Sequence, residues 1–226
     1  MSLAATQPLP DAPALEQIWF TRCPVPTASG IAYTLGWLGE EFAADGLPVE
    51  TLQEARQLGH HHYDHQLPGL FREGGNVPAL AARAAGSPSR LIGLTWIEEW
   101  QTLLVRPDSG IRRPEDLKGK RIGLPEYQLS ANVWARAILQ DDFGVAPEDV
   151  TWVRGGIETP GRPEKIALQL PPGVKLESAP DAVTISDLLD RGEIDGFMAP
   201  RPPSAHVLAN PNVGWLFDDP TATAKD

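Results

Sequence analysis

Residues 119–145 read GKRIGLPEYQLSANVWARAILQDDFGV, and this stretch decides the class of fold. The run RIGL at 121–124 has the length and character of a buried strand. PEYQ interrupts it, and a helix is expected from about Ser130 to Phe143, with Gly144 as its C-terminal cap. A second strand is expected at 150–153. Strand, helix and strand in that order are the signature of an α/β fold built on a parallel sheet.

The same alternation extends in both directions. Toward the C-terminus, a Pro/Gly-rich stretch to Val174 reads as loop, 185–191 as helix, and 194–198 and 213–217 as strands. Toward the N-terminus, 114–117 reads as a helical turn, and 91–96 and 102–105 as strands, with a helix at 77–85 before them. Residues 57–76, with HHHYDH and FREGGN, show no regular element. A strand at 47–52 and a helix from Ser29 to about Ala44 precede them. In that helix Ile31, Leu35, Leu38 and Phe42 fall at helical spacing and Ser29 is the expected N-cap. The first strand, 18–21, is broken by Cys23-Pro24-Val25-Pro26. The extended segment Arg106-Pro107-Asp108 is the expected crossing between two lobes. This puts a first lobe at 1–106, a second at 107–212 and the start of a return to the first at 213–226.

Composition narrows the partners. The 226 residues carry a net charge of −11, which disfavours a nucleic-acid backbone as a partner. No apolar run reaches the length of a membrane span. The start, MSLAATQPLPDAPALEQ, has neither a basic nor an apolar signal region, so the expected location is cytoplasmic, or periplasmic if the N-terminus has been trimmed. A single cysteine, Cys23, excludes an internal disulfide framework and CxxC metal or redox motifs. GKRIGLP lacks the pattern of a phosphate loop.

Cys23-Pro24-Val25-Pro26, the H-x-x-Y-D of His60, Tyr63 and Asp64, and Arg72 followed by Gly74-Gly75 resemble the aromatic sulfinate (hydroxybiphenyl sulfinate) desulfinases. RLIGLTWIEEWQTLLVRPDSGI also fits that family, although the spacing between His60 and Arg72 departs from its pattern. From Lys118 to about Pro203 the chain looks like the dihydroxyphthalate decarboxylases, in GKRIGLPEYQ, VWARAILQDDFGV, GGIETPGRPEKI and GEIDGF with Arg201-Pro202-Pro203. Both resemblances imply a type-2 periplasmic-binding-protein-like α/β fold. That fold has two lobes with mainly parallel sheets and an interdomain cleft. Both families are longer at the C-terminus, so the return to the first lobe is expected to be incomplete. The implied ligand is a small aromatic or organic anion, namely a sulfinate, sulfonate or carboxylate, and no cofactor is implied. The implied activity is removal of sulfinate from an aromatic compound. Two alternatives are decarboxylation of a hydroxylated aromatic acid, and solute binding for a transporter.

Arg72 offers a planar fork of donors to two anionic oxygens, and Gly74 and Gly75 let backbone N–H groups approach the same anion; a plain surface turn is the alternative. Cys23, between a strand and a helix, is expected near a helix N-terminus, where a thiolate is favoured. The resemblance makes it nucleophile or proton donor, against simple packing. His60 is its expected proton partner, or a hydrogen-bond donor that steers the anion, with Tyr63 also a candidate. His61, His62 and His65 with Asp64 suit a metal in donor type, but a solvated cluster is the expectation, with no metal required. Glu126, Tyr127 and Gln128 lie at a strand's carboxyl end, where α/β sheets present ligand groups. Trp96 and Trp100 could stack on a ring or pack between elements. Gly155-Gly156 and Arg201 complete the candidates.

Overall fold

A computed structural model describes residues 14–23, 25–95, 102–200 and 202–217. The chain divides into two compact units: residues 1–74 with 78–92, and residues 75–77 with 93–226. Arg106 lies inside the second unit, its guanidinium donating to the carbonyls of Leu189 and Asp190, so the segment expected as a crossing is anchored there.

The first unit is built on a three-stranded parallel sheet. Its strands are β1 (Ile18–Thr21), β2 (Val49–Thr51) and β3 (Leu70–Arg72), in the order β2-β1-β3. β3 falls in the stretch expected to lack regular structure. Three residues carry no periodicity to read, and it is pairing with β1 that makes them a strand. The helix expected from Ser29 to about Ala44 is two helices, α1 (Ala28–Thr34) and α2 (Trp37–Ala43). Gly36 separates them at φ 84°, a left-handed conformation that ends one helix and begins the next. The N-cap is Thr27 rather than Ser29: its hydroxyl oxygen accepts from the Gly30 N–H. Ile31 and Leu35, two of the apolar residues at helical spacing, remain 55% and 54% exposed. α3 (His61–Asp64) is a single turn, and α4 (Asn76–Ala84) runs close to its expected bounds.

The second unit has a six-stranded sheet of β4 (Thr102–Val105), β5 (Arg121–Leu124), β6 (Thr151–Arg154), β7 (Lys175–Ser178), β8 (Gly196–Ala199) and β9 (Gly214–Trp215), ordered β7-β6-β5-β8-β4-β9. β5 to β8 are parallel, while β4 runs antiparallel to both β8 and β9, so the sheet is mixed. Alternate residues of each strand feed two cores. Leu103, Ile122, Leu124 and Trp152 pack with Ala135 and Leu139 of α5 (Ser130–Asp141). Leu104, Val153 and Phe197 pack with Ile185, Leu188 and Leu189 of α6 (Ile185–Asp190). The result is a helix layer on each face of the sheet. Gly123 is required on the α6 side, since a Cβ there would come within 2.5 Å of Ile185 Cγ2. β7 and the short α7 (Ala205–Leu208) were not legible in sequence: both are brief, and β7 is an exposed edge. The strand expected at 91–96 does not form over Leu91–Thr95, where Leu91, Ile92 and Leu94 are about fully exposed at 79%, 80% and 86%; Trp96 lies outside the described residues. No described helix is long and apolar enough to cross a membrane.

Candidate functional site

Parallel pairing of β1 with β3 sets Thr21 opposite Arg72. The Thr21 hydroxyl, itself buried, donates to the Glu73 carbonyl at 3.1 Å and accepts from the Glu73 N–H at 3.1 Å. His62 Nδ1 lies 3.2 Å from the same oxygen, and His62 Nε2 lies 3.2 Å from Arg72 Nη2. These contacts assign the tautomer. The Thr21 proton is committed to Glu73, so His62 donates from Nδ1, and Nε2 accepts from the guanidinium. Arg72 Nε also donates to the His62 carbonyl at 3.2 Å. Burial, then the Arg72 charge, then His65, push the His62 pKa down to about 4, so the ring is neutral at pH 7. Burial likewise lowers the Arg72 pKa from its ordinary value, opposed by the nearby Tyr63 and Cys23. The guanidinium remains charged, and the neutral imidazole that orients it does not cancel that charge.

Gly74 follows with φ 149°, and a Cβ there would lie 3.2 Å from both Arg72 Nη2 and His62 Cε1. A side chain there would press on both the guanidinium and the His62 ring, and glycine avoids this. Gly75 belongs to the second unit, where it leaves space for the Ser130 hydroxyl. Cys23 is half-buried and acts on Arg72 electrostatically. It lies ahead of α1, whose N-terminus is capped by Thr27 instead. The Glu73 carboxylate accepts from Thr27 Oγ1 at 2.8 Å and Ser29 Oγ at 2.6 Å, tying the chain beyond Cys23 to the end of β3.

His60, expected as the proton partner of Cys23 or a donor to the anion, makes its observed contacts within its own turn. Its ring stacks on His61 with centroids 4.0 Å apart, and its Nε2 is 4.0 Å from Asp64 Oδ2. His62 occupies the position beside Arg72, with the Tyr63 ring edge-on to it at 4.9 Å. The residues close enough to share an ion are also a different set from the one considered in sequence: His60, His61 and Asp64. Thr21, His62 and Glu73 escaped the sequence reading because their bonds join residues 41 to 52 positions apart, and no local pattern marks them.

In the second unit Glu126 and Tyr127 are buried and serve its interior. Arg162 Nε donates to Glu126 Oε1 at 2.7 Å, and the Arg136 guanidinium sits 3.6 Å over the Tyr127 ring. The N–H groups of Tyr127 and Gln128 both donate to the Glu164 carboxylate. Gly155 and Gly156 answer close packing: Cβ atoms there would collide with Ala179 Cβ and the Thr159 carbonyl respectively. Trp96, Trp100 and Arg201 lie outside the described residues.

Residues 75–160 match the family described as NMT1/THI5 like. Among solved structures, the periplasmic aliphatic sulphonate binding protein of Escherichia coli superposes with a TM-score of 0.58 at 17% identity, covering 90% of this chain and 60% of that one. That likeness shows the fold, an α/β architecture of the type-2 periplasmic-binding kind. The 2'-hydroxybiphenyl-2-sulfinate desulfinase of Rhodococcus erythropolis is 33% identical over 116 residues, 50% of this chain and 30% of that protein. The 4,5-dihydroxyphthalate decarboxylase of Comamonas testosteroni is 54% identical over 125 residues, 55% of this chain, and the chain spans 38% of that enzyme's length. Its counterpart from Pseudomonas putida is 50% identical over 195 residues, which is 82% of this chain and 73% of that enzyme. With half the residues identical over nearly three quarters of a decarboxylase, the chain belongs to the 4,5-dihydroxyphthalate decarboxylase family.

Proposed function

We propose that the chain acts on a hydroxylated aromatic carboxylate, removing carboxyl as carbon dioxide. One observation carries this reading: a half-buried guanidinium, Arg72, is oriented by a His62 ring that is neutral at pH 7. Both decarboxylase and desulfinase relatives contribute, and the higher identities favour carboxylate over sulfinate. In the proposed step the ring–carboxyl bond breaks and carbon dioxide leaves. The electron pair stays on the ring carbon and takes a proton there. Arg72, with the backbone beside Gly74, holds the anion. Cys23 supplies the proton and regains it from water. Tyr63 borders the clamp, and His62 orients it.

The desulfinase reading keeps the same clamp and makes Cys23 a nucleophile on sulfur. A panel of hydroxylated phthalates, aryl sulfinates and aryl sulfonates, scored for binding and for released carbon dioxide or sulfite, separates the two. The expected result is carbon dioxide from a dihydroxyphthalate. Sulfite release alone moves the reaction to sulfur, and binding of every anion without turnover makes the chain a receptor. Cys23→Ser should lower turnover by orders of magnitude while leaving anion affinity nearly unchanged, since the lost interaction belongs to the transition state. Full turnover in Cys23→Ser assigns the proton to another donor.

A further inference from the structure

The turn that carries His62 has a second polar face, which the proposed chemistry does not use. His60, His61 and Asp64 each present one donor atom, and the three lie within 4.8 Å of one another. All come from the α3 turn, His60 as its N-cap. Asp64 is held in place: its Oδ1 accepts from the Gln66 N–H at 2.9 Å and pairs with His61 Nδ1 at 2.8 Å. His60 Nε2 stands 4.0 Å from Asp64 Oδ2.

Around a tetrahedral divalent ion with bonds of about 2.0–2.2 Å, neighbouring ligand atoms sit roughly 3.4 Å apart. His61 Nδ1 lies 2.8 Å from Asp64 Oδ1 and His60 Nε2 lies 4.0 Å from Oδ2, so side-chain rotations bring one atom of each residue to that spacing. An ion would take the place of the proton shared by His61 and Asp64. Side-chain exposures of 62%, 18% and 42% for His60, His61 and Asp64 leave the ion's remaining positions to water. His62 does not join, being committed to Thr21 and Arg72. Two imidazoles and one carboxylate suit a borderline ion such as zinc or cobalt and not magnesium or calcium.

We propose that His60, His61 and Asp64 form a binding site for a zinc-like divalent ion on the face of α3 opposite the His62–Arg72 contact. This site is independent of the decarboxylase reading and stands if that reading fails. Its ion would brace the turn from which His62 orients the clamp.

The test uses the full chain, free of any histidine tag, titrated with cobalt(II) alone. One equivalent should bind saturably and produce visible absorption bands. Zinc should displace it, and magnesium should not. His61→Ala and Asp64→Asn should each weaken binding by more than about tenfold, since even the outer partners of a metal site are worth that much. His60→Gln alters an exposed side chain, so it tests the site without threatening the fold, and it should weaken binding similarly. His206→Ala, at an exposed position of α7, should bind as wild type does. Zinc should also raise the melting temperature of wild type but not of His60→Gln. Absence of saturable cobalt binding, or equal affinity in wild type and His60→Gln, would reduce these residues to a solvated turn and overturn the proposal.

Discussion

The two units are organised by different forces. In the second, Trp152, Phe197, Leu104 and Ile185 are essentially inaccessible to solvent, and two apolar layers sandwich a six-stranded sheet. In the first, α1 and α2 have no buried residue, and the sheet has three strands. What orders its functional end is polar: Thr21, Glu73, His62 and Arg72 satisfy one another, and Glu73 reaches on to Thr27 and Ser29. The unit with the large core buries its own polar candidates, Glu126 and Tyr127, while the sparse unit leaves Arg72 half-buried within a hydrogen-bond network. Apolar burial stabilises without direction, whereas a hydrogen-bond network positions groups.

Substitutions should separate these two modes. Trp152→Ala should be the most destabilising, by about 3–5 kcal/mol in denaturant titration, because it empties a fully buried site and orphans the Pro147 carbonyl that its Nε1 meets at 2.8 Å. If it costs less than about 1 kcal/mol, the second core is not the dominant source of stability.

The first unit should instead respond to acid. His62 has a folded pKa of about 4 against 6.5 unfolded, so the unfolded chain binds the additional proton. Stability from this group is therefore complete above pH 6.5 and falls as pH drops toward about 4, by roughly 3 kcal/mol in all. Denaturation across that range should show the loss in wild type and a flatter profile in His62→Gln. Equal profiles would mean that His62 is solvated rather than held between Thr21 and Arg72.

Arg72→Ala should weaken binding of phthalate, used as a probe in calorimetry, by about 2 kcal/mol. Arg72→Lys should recover only part of this, because ammonium cannot form the bidentate fork. Unchanged affinity in both would remove Arg72 from the clamp. The smallest effect belongs to Thr27→Ala, which should cost about 1 kcal/mol through loss of the α1 cap and the Glu73 contact. A neutral result there would show that Glu73 and Ser29 alone hold the segment after Cys23.

The sequence by itself determined the elements whose signal is local. The RIGL strand, the helix after it (Ser130–Asp141, two residues short of its expected end), and the strand carrying Trp152 could be read from residue type and spacing, and with them the α/β class. Family-like motifs also singled out Cys23, Arg72 and Gly74, which the structure places on one polar network or within its field. Tertiary structure decided the rest. Whether Leu70–Arg72 is a strand depends on β1, and the break at Gly36 turned one expected helix into two. The tertiary structure also determined which of the consecutive histidines meets Arg72. Neighbouring residues in a helical turn point in different directions, about 100° apart, so a run of histidines has no assigned faces until the turn is oriented. Here the Thr21 hydroxyl, 41 residues from His62 in sequence, sets that orientation, and a contact of such separation leaves no trace in local spacing.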